Sequence, residues 1–218
     1  MTPSITIHGV AASRALRPLW AATELGLPFT HVATPFSGGA TRTPEFLALN
    51  PNGHIPVLID ARPEGDVVVW ESMACALYLS RVHGPADGTS IAPASPREEA
   101  EALRWSFWAV SECESDSLTV LMHRVAMPED RRKPELADAA EKRLAVPLRV
   151  IEAHLQRQRD AGQTWLAADR FTVADLCVAS VLMWARASRV LMGYHPLTHE
   201  WVQRCVNRPA YKAVRKEG

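Results

Sequence analysis

Apolar positions change period part-way along the chain. Ser4 to His8 is a short β-branched run closed by Gly9, which predicts a strand. Leu16, Leu19, Trp20 and Thr23 then recur at helical spacing behind Ser13 and stop at Gly26, which predicts a helix. Pro18 lies inside it, so the first turn is expected to be irregular or to begin near Arg17. Phe29 to Ala33 reads as a second strand, and a short helical piece follows at Pro44 to Leu49. Ile55–Ile59 and Val67–Trp70 read as strands across the turn-rich Arg62-Pro63-Glu64-Gly65, at the spacing of an antiparallel hairpin. A helix from Glu71 to about His83 completes a β-α-β-α-β-β-α order, which predicts a small α/β sandwich.

Strand signals stop at Gly84. A Pro/Gly/Ser-rich stretch predicts a linker, so the chain divides into an α/β domain at 1–83, a linker at 84–95 and an all-helical domain at 96–218. Ser95 caps the first helix of that domain, with Pro96 at its first position and Glu98 and Glu99 in its first turn. Leu103, Phe107 and Val110 recur along it at helical spacing, and Trp105, Phe107, Trp108 and Met122 are expected mostly in the core. Further helices are predicted at about 134–160, 173–188, 197–206 and 210–215. Phe171-Thr172-Val173-Ala174-Asp175 is a capping box that nucleates a buried helix.

Composition narrows the classes of function. At 218 residues with 47% hydrophobic and 22% charged, the chain is long enough to bury two cores and too apolar for long-range disorder. Lys plus Arg and Asp plus Glu number 24 each; 5 of the basic and 6 of the acidic residues precede Gly84. Neither half is polarised, which argues against nucleic acid or an anionic membrane as partner. The longest apolar stretch, Cys177 to Ala185, is too short to span a bilayer, and the start lacks a signal-peptide pattern, so a cytoplasmic location is expected. Four scattered cysteines form no CxxC pair and are expected to be reduced thiols. His195 and His199 flank Pro196 without a third ligand, so no metal site is expected.

Three segments carry candidate chemistry. In Asn50-Pro51-Asn52-Gly53-His54-Ile55-Pro56-Val57-Leu58, Pro56 opens an apolar run but has no N–H for a ladder. Either Ile55–Pro56 is cis, leaving the Ile55 backbone to pair with an extended peptide ligand, or it is an ordinary trans proline at a strand start. Glu71-Ser72 opens a helix, where backbone N–H groups and the Ser72 hydroxyl suit a carboxylate and the Glu71 carboxylate suits an ammonium; plain capping is the alternative. Ser13, at the first strand-to-helix turn, offers a hydroxyl to an anion such as a thiolate, or acts as an N-cap.

Together these segments resemble the soluble glutathione S-transferase family over essentially the whole chain. The resemblance is carried by the element order, NPNGHIPVL, the Trp70-Glu71-Ser72 turn, the linker, and FTVADL in a helical second domain. It implies a thioredoxin-like first domain that binds glutathione as cosubstrate, a helical domain that supplies the pocket for a small apolar electrophile, and a cytoplasmic homodimer active in detoxification. It further implies that Pro56 is the cis proline and that Ile55 pairs with the cysteinyl backbone of glutathione. Glu71 and Ser72 would hold its γ-glutamyl ammonium and carboxylate, with His54 and Arg42 near its remaining groups. The Gly9–Pro18 segment is similar to the serine-type members, with Ala12 in the place of the first serine and Ser13 as the catalytic residue. Expected chemistry is transfer of the glutathione thiolate to the electrophile. Another glutathione enzyme (peroxidase, isomerase or dehalogenase) and a non-catalytic binding or scaffold protein are the alternatives.

Overall fold

The computed structural model describes residues 4–216, which fall into two compact units, 4–94 with 208–216, and 95–207. In the first unit, strands β1 (Ile5–His8), β2 (Phe29–Val32), β3 (Val57–Asp60) and β4 (Val67–Trp70) form one mixed sheet in the order β2-β1-β3-β4. β1 runs parallel to β2 and antiparallel to β3, and β3 and β4 form the expected antiparallel pair. Helices α1 (Leu16–Glu24), α2 (Pro44–Leu49) and α3 (Ser72–His83) fall where the periodicity places them, with α1 packed against α3. This is the thioredoxin-like arrangement expected of the first half. Ile5, Ile7, Leu19, Trp20, Val57, Leu58, Cys75 and Leu79 are buried and form its core.

At the far end of β3, buried Asp60 ties the sheet to α3. Its Oδ2 accepts hydrogen bonds from His83 (2.8 Å), Tyr78 (2.9 Å) and Arg62 (2.8 Å). Burial by itself would raise this carboxyl, but the bonds from His83, Tyr78 and Arg62 outweigh it and hold the group below its ordinary value.

One boundary differs from the sequence reading. The last helix, α10 (Pro209–Lys216), belongs to the first unit, although it follows the helical half in sequence. It packs on α1: Tyr211 meets the Trp20 ring edge-to-face at 5.0 Å, and Arg208 makes a two-pronged bond to Glu24 at 2.7 Å on each arm. Sequence proximity assigned it to the wrong neighbour. The linker residues 84–94 also cluster with the first unit.

The second unit is all-helical: α4 (Pro96–Trp108), α5 (Ser115–Leu121), α6 (Pro134–Asp160), α7 (Val173–Ala185), α8 (Arg189–Gly193) and α9 (Pro196–Val206). A wide π-type turn at Ala109–Glu114 joins α4 and α5 into a near-continuous rod, and a second at Met122–Ala126 extends α5 at its end. α7 is buried almost all round and packs against α4, α5 and α9. Leu103, Phe107 and Val110 are exposed, Phe107 to 71%, so the expectation of Phe107 in the core is corrected. The buried side of this rod carries Ala102, Trp105, Ser106, Ala109 and Cys113 instead. The small side chains of Ala102 and Ser106 share this face with Trp105, which is buried as expected, and α4 packs there on α7, while Leu103, Phe107 and Val110 face outward.

Candidate functional site

Strand register gathers the candidate segments at one end of the sheet. His8 lies opposite Val57, and Val57 opposite Trp70, so the turn after β1, the loop before β3 and the start of α3 leave the sheet side by side. Gly9 seals the first two together: a Cβ there would stand 2.6 Å from the Ala15 Cβ and 3.2 Å from the Ile55 Cβ. The residue also has φ +130, a conformation that side-chain-bearing residues avoid. Only glycine fits.

At the start of α3, Glu71 is exposed and has φ 71, the left-handed region that a non-glycine residue enters only when its surroundings hold it there. Its carboxylate caps nothing. Ser72 is buried, and its Oγ accepts a 2.6 Å hydrogen bond from Arg17 Nη1. Arg17 itself is 1% exposed. Because that lone pair is taken by a guanidinium, the Ser72 proton is left for an acceptor and is polarised by the positive charge behind it. Sequence reading placed Arg17 only at the helix start and missed this role. A charged residue between Leu16 and Leu19 on a buried helix face was the available signal.

In the loop before β3, the Ile55–Pro56 peptide is cis, which settles the choice left open by the sequence. Pro56 is buried, and no hydrogen bond within the described residues engages the Ile55 N–H or C=O. The loop is held from below by buried Asn50, whose Nδ2 donates to the His54 carbonyl (2.7 Å) and whose Oδ1 accepts from the Asn52 N–H (3.0 Å). Arg42 lies across it and donates to the Asn52 carbonyl at 3.2 Å, against Gly53 at φ +61. The His54 side chain is exposed. Arg42, His54 and Ile55 thus share one loop surface.

Ser13 sits in the turn that joins β1 to α1. Its Oγ donates to the Val10 carbonyl (2.7 Å) and accepts from the Ala15 N–H (3.1 Å). The hydroxyl is therefore a staple of the turn in this state, with its proton already bonded. No cysteine stands in as a nucleophile: all four are buried free thiols. Burial pushes the Cys75 thiol up to about 12 and also raises Cys113. Among the described residues no group of His, Cys, Asp and Glu is placed to hold a metal ion, and no helix is long and apolar enough to cross a membrane.

Comparison with known proteins gives the family. Residues 12–82 match the family profile "Glutathione S-transferase, N-terminal domain" and residues 115–209 match "Glutathione S-transferase, C-terminal domain". Glutathione S-transferase 3 of Zea mays is 30% identical over 95% of this chain and 91% of its own. The chain belongs to the glutathione S-transferase family. Within it, the theta class glutathione S-transferase of Xanthomonas axonopodis pv. citri, solved with glutathione bound, is 30% identical and superposes with a TM-score of 0.81 over 97% of both chains. The family fold is also shared outside enzymes named as transferases. Elongation factor 1-gamma of Equus caballus is 29% identical over 92% of this chain, which spans 44% of that protein.

Proposed function

We propose that this glutathione S-transferase family member transfers the glutathione thiolate to a small apolar electrophile. The observation that carries the reading is the convergence, at one sheet end, of an exposed carboxylate, a buried Arg17-backed hydroxyl and an unpaired backbone segment. A tripeptide with an ammonium and a carboxylate at its γ-glutamyl end fits that set. Glu71 takes the ammonium, Ser72 donates to the carboxylate, and the Ile55 N–H and C=O pair with the cysteinyl unit in the manner of an added strand. Arg42 and His54 face the glycyl carboxylate from the loop.

These contacts bring the thiol to the Ser13 turn. A thiol with an ordinary pKa of ~8.5 is lowered by donors and positive charge. A shift of about two units corresponds to ~2.7 kcal/mol and makes thiolate the main form at neutral pH. The thiolate attacks the electrophilic carbon, an S–C bond forms, and the leaving group departs with the bonding pair. For a chloroaromatic substrate that group is chloride, and the thiol proton has already passed to solvent.

Calorimetry with glutathione, followed by product analysis with a chloroaromatic electrophile, tests the reading. Saturable heat and a thioether product are expected; absence of heat refutes it. Ser13→Ala is expected to lower kcat about tenfold while the glutathione Kd moves less than about threefold, because it loosens the turn and not the tripeptide's ends. Unchanged kcat would remove Ser13 from the site.

Ala12 in the first serine's place and the bonded Ser13 proton favour a second reading, a binding protein without transfer. Heat without thiolate absorbance at neutral pH would select it.

We further propose a cytoplasmic homodimer with a detoxifying role. Buried free thiols fit a reducing compartment. Exposed Leu103, Phe107 and Val110 form an apolar stripe of the kind that a second copy covers. Sedimentation equilibrium is expected to give twice the chain mass, and Phe107→Glu to shift it toward the monomer. A wild-type monomer at micromolar concentration would contradict the dimer.

A further inference from the structure

The turn between β1 and α1 is held by an uncommon set of bonds. Three consecutive carbonyls each accept a side-chain hydrogen bond. Gly9 C=O takes one from His31 Nε2 at 2.7 Å, Val10 C=O from Ser13 Oγ at 2.7 Å, and Ala11 C=O from Arg215 Nη1 at 3.1 Å. A carbonyl only accepts, so His31 donates from Nε2 and its other ring nitrogen is unprotonated in the neutral form. The three donors come from three elements: β2, the turn itself, and the C-terminal helix α10.

A trans peptide is planar, with its C=O and the next residue's N–H on opposite sides of the C–N bond. A donor that fixes a carbonyl therefore fixes the direction of the N–H that follows. The Ala12 N–H, partner of the Ala11 carbonyl in one peptide unit, makes no hydrogen bond within the described residues. Ala11 is buried, whereas Ala12 is exposed. Of the two alanines, then, the one whose N–H shares a peptide with the Arg215-bound carbonyl is open to a ligand.

We propose that Arg215 is a positioning residue for the thiol site: by holding the Ala11 carbonyl it aims the Ala12 N–H at the glutathione sulfur, and that N–H is the thiolate's donor. This rests on glutathione binding as proposed above. It accounts for the alanine at position 12, because a backbone donor requires no hydroxyl there, and it gives Ser13 the duty of holding the Val10 carbonyl. Polarisation adds to geometry. A guanidinium on the carbonyl draws electron density through the amide and makes the N–H opposite a better donor to an anion.

Other charged groups lie on the elements that meet at this turn. Arg14 is in the turn, Arg17 and Glu24 are on α1, and Lys212 and Lys216 are on α10. Arg17 is engaged with Ser72, and Glu24 with Trp20 and Arg208. α10 does not depend on Arg215 for its seat, since Tyr211, Arg208 and buried Val214 anchor it.

The test compares wild type, Arg215→Ala and Arg215→Lys by thiolate absorbance of bound glutathione against pH, and by the pH profile of kcat/KM with a chloroaromatic electrophile. In Arg215→Ala the apparent thiol pKa is expected to rise by about one unit, roughly a tenfold loss of thiolate on the acid side, with the glutathione Kd within about twofold. Arg215→Lys, which keeps the charge and one donor, is expected to recover about half of that shift. Thermal midpoints report whether each variant is folded. Wild type that gives no heat with glutathione overturns the transferase reading. Retained binding with an unmoved thiol pKa in folded Arg215→Ala overturns the role of Arg215 alone. A fall in glutathione affinity as large as the fall in thiolate fraction also overturns it, because Arg215 would then hold the tripeptide or the fold.

Discussion

Asp175→Ala is expected to destabilise the protein by about 3–5 kcal/mol, a large part of the 5–15 kcal/mol typical of a folded domain. The carboxylate is fully buried at the N-terminus of α7 and serves four donors from three parts of the second unit. Oδ1 accepts from the Leu166 N–H (2.9 Å) and from Trp201 Nε1 (3.0 Å). Oδ2 accepts from the Thr172 N–H (3.0 Å) and the Thr172 hydroxyl (3.3 Å). Alanine removes the acceptors but leaves the donors buried, so each N–H keeps its desolvation cost with no partner in return. Asp175→Asn keeps the shape and one acceptor oxygen but turns an NH2 group toward donors, and is expected to cost about 2 kcal/mol. Urea unfolding followed by tryptophan fluorescence measures both. A shift of midpoint at constant slope is the expected form of the result. A loss below about 1 kcal/mol for the alanine variant would mean that water or a rearranged loop replaces the carboxylate.

The same residue marks how far sequence carries. The Thr172–Asp175 capping box was legible because both partners lie within four positions of each other and their chemistry is local. The Trp201 and Leu166 bonds were not, since they depend on how α7, α9 and the preceding loop pack. The first-unit strands and helices came out close to their expected limits because turn residues such as Gly9, Gly26 and Pro63–Gly65 bound short, clearly periodic runs. α4 went the other way. Leu103 and Phe107 have helical spacing, yet Ala102, Trp105 and Ser106 face inward, because helix packing at this seam takes small side chains beside one large ring. Helix α5 and its flanking π turns left no mark in the pattern. Within the candidate site, Ser72, Ile55 and Pro56 were readable from residue type at an element boundary. Arg17 behind Ser72 and Arg215 behind Ala11 were not, being 55 and 204 positions from their partners.

If Glu71 holds the glutathione ammonium as proposed, two substitutions at this position are expected to separate binding from stability. Its φ of 71 is a conformation that costs a non-glycine residue about 1–3 kcal/mol, and no side-chain hydrogen bond of its own offsets that cost. Such strain is retained where the backbone must place a group for a ligand, and under the function proposed above that group is a carboxylate for the γ-glutamyl ammonium. Glu71→Gln keeps the length and removes the charge. It is expected to weaken glutathione binding by about 1–2 kcal/mol, roughly 5- to 30-fold in Kd, the lower part of the range for a charged hydrogen bond because the group is exposed. Thermal stability should barely move. Glu71→Gly loses the same contact but relieves the backbone. Part of that gain is returned to the freer unfolded chain, so a net stabilisation of about 1 kcal/mol is expected alongside the weakened binding. Calorimetry and thermal melts on the two variants read these quantities separately. Affinity should fall in both, while the melting temperature rises only in the glycine variant. If Glu71→Gln bound glutathione as wild type does, the carboxylate would have no ammonium to hold. If Glu71→Gly melted lower, the positive φ would be a conformation that the glutamate side chain itself supports.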